Sequence, residues 1–364
     1  MATTAAPRTV LPACAVLAGT LTSLIGLTWD IQWHADVGPD TFFTLPHLFL
    51  YSGSAVAGVA SLAVVLAVTG AQRAGRAVDP ALGGPHVRVF GGAFAAPVGY
   101  LLAGTGAASF LLYGLWDLWW HGLYGFDAVI ESPPHIGLLL SVMVTMLGAV
   151  VVFAAAVPQR WATVGTVVSL AVVLAFGVVT VIGLGVLGQV AFGAGTAFLA
   201  VLVVLVGRRA LAVPGGAVAV AAAVAVWQGF SWWFSPWAAR RYADQVGLPV
   251  RDYVDGVPEM PALLPLVLLP VAVVVEGVWW ALRSDVERAG VAAGAVAGLL
   301  IAAAAPVQDA LLDQGPLPGL GEYLVTVLVG GVAGVVAGVT AVRLGGLLRV
   351  VAAAPEARGT AVSR

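Results

Sequence analysis

The 364-residue chain is 60% hydrophobic and 9% charged, with a formal net charge of −2 and a mean hydropathy of +1.01. Soluble domains are about 45–50% apolar and about 25% charged, so the polar surface needed by a water-soluble globule, a disordered chain or a nucleic-acid binder is missing. The 16 basic residues are all Arg, and the natural solvent for such a chain is a bilayer.

Runs of about 20 apolar residues cross a hydrocarbon core of ~30 Å. They fall near 10–33, 46–70, 90–120, 134–157, 161–182, 189–207, 215–235, 261–282, 289–310 and 321–342. Each must be helical, because lipid offers no partner to free N–H and C=O groups. That includes the Val-rich runs Val201–Val206 and Val273–Val275, despite their β propensity. The expected fold is therefore all-α, a polytopic membrane helix bundle of about ten transmembrane helices. Arg8, Arg73, Arg76, Arg88, Arg160, Arg208, Arg209, Arg283, Arg288, Arg343 and Arg349 fall in alternate connections, which the positive-inside rule makes cytoplasmic. Both termini are then inside, and segments 34–45, 121–133 and 311–320 face outward. Segment 236–258, with Arg240, Arg241 and Arg251, breaks the rule but is held outside by its neighbours. A single cysteine, Cys14, excludes an internal disulfide. The first helix directs insertion, and the sites below lie on the outer face of a bacterial-type inner (cell) membrane.

The first span ends in Trp29-Asp30-Ile31-Gln32-Trp33-His34 and is followed by Pro39-Asp40-Thr41-Phe42-Phe43-Thr44-Leu45-Pro46-His47. The third ends in Trp116-Asp117-Leu118-Trp119-Trp120-His121, followed by Phe126-Asp127 and Glu131-Ser132-Pro133-Pro134-His135. Both read Trp-Asp-x-x-Trp-His, a short loop, then Pro-His opening the next helix. Such self-similarity points to duplicated helix hairpins. Weaker echoes occur around Trp227, Gln228 and Glu259, and around Asp309, Asp313 and Glu322. The chain divides into a duplicated-motif half (1–157), a second transmembrane half (158–350) and a short disordered tail (351–364).

Four of the five histidines sit in the two phrases. Residues four apart share a helix face, so Asp30 projects with His34 and Asp117 with His121. Pro favours a first helical turn, which returns His47 and His135 toward those pairs. Two imidazoles and a carboxylate are a three-ligand set with coordination positions left open. The competing arrangement is an Asp–His pair solvated at a helix end, with Trp29, Trp33, Trp116, Trp119 and Trp120 as an aromatic belt. Asp40 and Asp127 read either as acceptors of an imidazole N–H behind the ligands or, equally, as N-caps or solvated loop residues. His86 reads as a solvated loop residue. Glu276 reads as an interface residue or a buried proton carrier. Gly330, Gly331, Gly334 and Gly338 mark close helix packing.

Asp30-x-x-Trp33-His34, then Asp40-Thr41-x-Phe43-Thr44-x-x-His47, resembles the copper-ligand segment in the C subunit of particulate methane and ammonia monooxygenases. The resemblance implies copper at Asp30, His34 and His47 and, through the internal repeat, at Asp117, His121 and His135. The family's neighbouring copper position uses an Asn, and this chain has none. The function expected on that basis is an integral membrane copper-binding protein, oxygen-activating and monooxygenase-like, acting on a small apolar substrate from the lipid. The alternative is non-enzymatic copper or metal acquisition, storage or transport. Ligand chemistry alone admits zinc or iron. Expected partners are the bilayer, the substrate, and other membrane subunits or further copies of the chain, with no nucleic acid.

Overall fold

The computed structural model describes residues 7–125, 132–254 and 256–353. In chain order the helices are α1 (Pro7–Asp36), α2 (Leu45–Arg73), α3 (Val98–Tyr124), α4 (Pro133–Ala154), α5 (Arg160–Ile182), α6 (Gln189–Leu211), α7 (Gly216–Val246), α8 (Glu259–Ala262), α9 (Leu268–Ala281), α10 (Val286–Leu311) and α11 (Leu320–Ala353). Among the described residues nine helices, α1 to α7, α10 and α11, are long and apolar enough to cross a membrane. The chain is an all-α, polytopic membrane protein. The Val-rich runs are helical, in α6 and α9.

Two expected spans are shortened. Residues 86–97 form a β-hairpin, β1 (His86–Val89) against β2 (Phe94–Pro97). It turns through Gly91 and Gly92, both at positive φ, so α3 begins only at Val98. The hairpin is tied to the end of α2: the Thr69 hydroxyl contacts both the amide and the carbonyl of Ala95, and Arg73 donates to the Ala93 carbonyl. His86 opens β1 with its Nε2 buried, and burial lowers its pKa below the ordinary 6.5. The expected span 261–282 is interrupted between α8 and α9. Pro265 lacks an N–H and disfavours helical backbone at Leu264, which accounts for the break.

The described residues fall into two compact units, one from Met1–Leu27, Asp40–Ser169 and Leu347–Arg364, the other from Thr28–Pro39 and Leu170–Gly346. In the first unit, α3 and α4 form a hairpin packed through small residues. A Cβ on Gly106 would strike Ser141 and Thr145, and one on Gly148 would strike the Ala103 backbone. Helix α2 runs antiparallel to α3, with Gly58 against Ala107 and Gly104 against Ser61. Val64, Val68, Tyr100, Val152 and Phe153 fill the core beneath. These close approaches are what van der Waals-driven helix association in lipid requires.

In the second unit, Gly290, Gly294 and Gly298 of α10 face Gly338, Gly334 and Gly330 of α11. The glycine stripe of α11 thus has its partner within the same chain. Glu276 is an anchor: its carboxylate takes Arg208 Nε at 2.9 Å and the Ala217 amide at 2.9 Å. One oxygen is thus ion-paired with a guanidinium and the other accepts a backbone amide.

Candidate metal centre

In the first unit, helix α3 ends at a Gly, and that ending shapes the site. Gly125 takes φ +84 at the C-cap and turns its carbonyl back toward the last turn. There it lies 3.0 Å from His121 Nδ1. A carbonyl only accepts, so Nδ1 carries the proton, and the Nε2 of a neutral ring presents its lone pair on the opposite side. One turn earlier, Asp117 places Oδ1 at 3.3 Å from that Nε2. Across the loop, the Ser132 side chain caps α4 by accepting the His135 amide, and Pro133 and Pro134 open the first turn. This sets His135 with its Nε2 also 3.3 Å from Asp117 Oδ1.

Asp117 and His121 are buried, at 6% and 8% exposure. Asp117 Oδ1 receives no hydrogen bond of sound geometry among the described residues. A buried carboxylate oxygen met by an imidazole lone pair is unfavourable unless positive charge lies between them. A metal ion, or a proton on the imidazole, supplies that charge. Bonds of about 2.0 Å at tetrahedral angles set neighbouring donors about 3.3 Å apart, and the two N–O separations here are of that size. Donor atoms of all three side chains lie within 4.8 Å of one another. The residues thus fit a divalent ion held by three protein ligands, with Gly125 fixing one imidazole from behind.

The other candidate residues are placed as follows. In the second unit, His34 Nε2 stands 3.9 Å from Asp30 Oδ1 on the last turns of α1. His47, at the start of α2, belongs to the first unit. Its Nδ1 lies 3.0 Å from the Thr41 carbonyl and its Nε2 3.4 Å from Asp40 Oδ2. The Thr41 carbonyl and the Asp40 carboxylate thus face opposite nitrogens of the ring. The run Asp40 to Thr44 is a support for His47: Thr44 Oγ1 accepts the Thr41 amide at 2.6 Å, and Tyr51 donates to the Phe42 carbonyl at 3.0 Å. The antiparallel register of α2 on α3, carried toward the loops, brings His47 level with the turn that holds Asp117. Asp127 lies outside the described residues.

Three supports escaped the sequence reading. Gly125 carried a usable signal, since Gly just past a helical pattern is a C-cap. Ser132 before Pro-Pro-His is an N-cap of the favoured type. Arg251 carried its signal as an anomaly, a cation on the side the positive-inside rule disfavours. In the second unit its guanidinium donates to the carbonyls of His34 at 2.7 Å and Ala35 at 3.1 Å, and its amide to that of Asp36 at 2.8 Å. It thereby closes the open end of α1 beneath His34. The tryptophans divide as well. Trp29 and Trp33 are buried on Tyr242, whereas Trp116 and Trp119 are exposed. Replacing Arg251 with Gln is expected to cost about 1–3 kcal/mol, the worth of charge-assisted bonds to part-buried carbonyls. Arg251→Lys recovers less than half of this, since one ammonium cannot span both acceptors. Thermal melting in detergent measures both.

No family model matches the chain, and neither curated proteins nor solved structures show a significant match.

Proposed function

We propose that this membrane protein is a copper protein with Asp–His–His centres on the outer face of the cell membrane, working as an oxygen-activating, monooxygenase-like oxidoreductase on a small apolar substrate from the lipid. The observation that carries the metal is the convergence of two imidazole nitrogens on the buried, otherwise unsatisfied Oδ1 of Asp117. By the internal repeat, the reading extends to Asp30, His34 and His47. Copper is favoured over zinc and iron by its place in the affinity order for nitrogen and oxygen donors and by the resemblance of the first phrase. Bound there, copper would supply a place for dioxygen to be reduced.

The chain's own residues bind the ion, fix its imidazoles from behind, and keep the carboxylate dry. Exposed apolar side chains on α3 (Leu111, Leu112, Leu115, Trp119) give a substrate dissolved in lipid a route along the helix. Monooxygenation puts one oxygen atom of dioxygen into a C–H bond or across a C=C bond and takes the other to water with two electrons and two protons, so the assay must supply a quinol. Copper-loaded protein in nanodiscs with a quinol and a short alkane or alkene is expected to consume oxygen and form the alcohol or epoxide. Zinc-loaded protein is expected to be inert. Copper-replete protein that oxidises none of these, but carries a saturable copper flux into proteoliposomes, would replace the oxidoreductase with a metal-acquisition protein.

A further inference from the structure

Two rings in the first unit are held in the same way. His121 has a backbone carbonyl 3.0 Å from Nδ1 and a carboxylate oxygen 3.3 Å from Nε2. His47 has the Thr41 carbonyl 3.0 Å from Nδ1 and Asp40 Oδ2 3.4 Å from Nε2. A carbonyl only accepts, so His47 Nδ1 carries the proton and Nε2 is the nitrogen left to meet a cation. An imidazolium donating straight to a carboxylate closes to about 2.7–2.9 Å. Two donors that share one ion through bonds of about 2.0–2.2 Å stand further apart, about 3.3 Å at a tetrahedral angle. The Asp40–His47 separation is of the second kind, and it is tighter than the 3.9 Å of the Asp30–His34 pair. The loop holds both donors firmly. Thr44 Oγ1 accepts the Thr41 amide at 2.6 Å, and the Tyr51 hydroxyl donates to the Phe42 carbonyl at 3.0 Å. The Phe42 and Tyr51 rings meet at 5.0 Å, and Tyr51 lies 6.0 Å from Phe110 of α3. The pair is sheltered as a result, with the Asp40 side chain 11% exposed and that of His47 17%.

We propose that Asp40 is itself a metal ligand, sharing an ion with His47, and that it closes the first centre. The inference rests on the reading of the first phrase as a metal site. Added to Asp30, His34 and His47, which the internal repeat assigns, Asp40 makes a set of two carboxylates and two imidazoles. Four protein donors fill a tetrahedral ion, as in structural sites, and the two carboxylate charges balance a divalent one. Sites that react keep a position open for water or substrate. The Asp117 centre has three donors among the described residues and keeps such a position. The two copies therefore divide the work: the first holds its ion closed, and dioxygen meets the second.

The test is titration of full-length, metal-free His121→Ala protein in detergent with cobalt(II), whose visible absorption reports the number and kind of its donors. In that background the first centre is read alone. Asp40→Asn should weaken cobalt binding by more than the ~100-fold that an outer partner is worth, and shift the absorption. Asp40→Glu, which keeps the charge on a longer arm, should melt as the parent does, recover part of the affinity and still shift the absorption. Azide should leave the cobalt spectrum of the parent unchanged, and should bind the cobalt of the Asp40→Asn protein, where a position has opened. Parent affinity and spectrum in Asp40→Asn overturn the proposal and reduce Asp40 to an ion-pair partner. An unshifted spectrum in Asp40→Glu overturns it too, as does azide binding to the parent or a parent that takes up no cobalt. Copper content of the protein with His121 intact is measured beside these samples. Copper retained there while the Asp40 variants behave as the parent sinks this inference and leaves the copper reading standing; copper absent there sinks that reading first.

Discussion

The His121→Ala protein is expected to lose the metal held with Asp117 and His135. An outer partner that merely orients a ligand is worth about 10–100-fold in metal affinity, and His121 is placed as a ligand itself, so the loss should exceed that range. Truncation removes the Nε2 donor 3.3 Å from Asp117 Oδ1 and the ring that Gly125 holds. The remaining Asp117 and His135 leave the ion two protein donors. The measurement is elemental analysis of purified, metal-saturated protein after dialysis against a graded chelator. Asp117→Asn should behave similarly, since it keeps the shape but removes the charge on which both imidazoles converge. The double variant should be little worse than either single one, because residues that bind as a unit are not additive. His86→Ala, in β1 and outside the centre, should retain full metal. Undiminished metal in both His121→Ala and Asp117→Asn would reduce the cluster to an Asp–imidazolium pair.

Much of this was legible in the sequence, for identifiable reasons. Asp117 and His121 are four apart on a helix, a spacing that fixes a shared face whatever the tertiary structure does. Pro133-Pro134 before His135 announces a first helical turn in the same way. The spans were legible because lipid allows a long apolar run no conformation but the helix. Where a local polar partner relaxes that constraint, the reading slipped. Pro265 breaks the helix between α8 and α9, but Pro alone does not end a membrane span; the break is tolerated because Gln228 and Gln308, distant in sequence and averaged away by hydropathy, take up the freed backbone groups. The hairpin of β1 and β2 depends on positive φ at Gly91 and Gly92, inside a run whose composition passes for membrane helix. At the His47 ring the Asp40 carboxylate and the Thr41 backbone carbonyl, a group that every residue has, face opposite nitrogens. Sequence can show which side chains are available to a ring nitrogen, but backbone competitors emerge only with the folded loop.

Gly106→Leu is expected to damage both the fold and the centre. A Cβ at this position meets the Ser141 carbonyl and the Thr145 amide and hydroxyl across the interface. Two of those are backbone groups within α4, so relief requires the helices to separate rather than a rotamer to change. Overpacking of a tight interface typically costs about 1–3 kcal/mol, and a branched four-carbon side chain against backbone belongs at or beyond the upper end. The consequence for the metal follows from geometry. Ser141 and His135 lie on the same helix, with His135 nearer its start, so displacing α4 from α3 at Ser141 draws His135 Nε2 away from Asp117 Oδ1. The variant should melt at lower temperature and bind metal more weakly, although no ligand has been touched. Gly114, on the same helix and nearer the ligands, provides the contrast. A Cβ there meets only Leu138 Cδ2 at 3.9 Å, an ordinary contact, and Ala in a helix interior gains about 0.5–1 kcal/mol over Gly. Gly114→Ala should therefore melt at the parent temperature or above and keep its metal. Equal melting temperatures and equal metal content for Gly106→Leu and Gly114→Ala would mean that α3 and α4 do not meet through Gly106, and the support for His135 would have to be sought elsewhere.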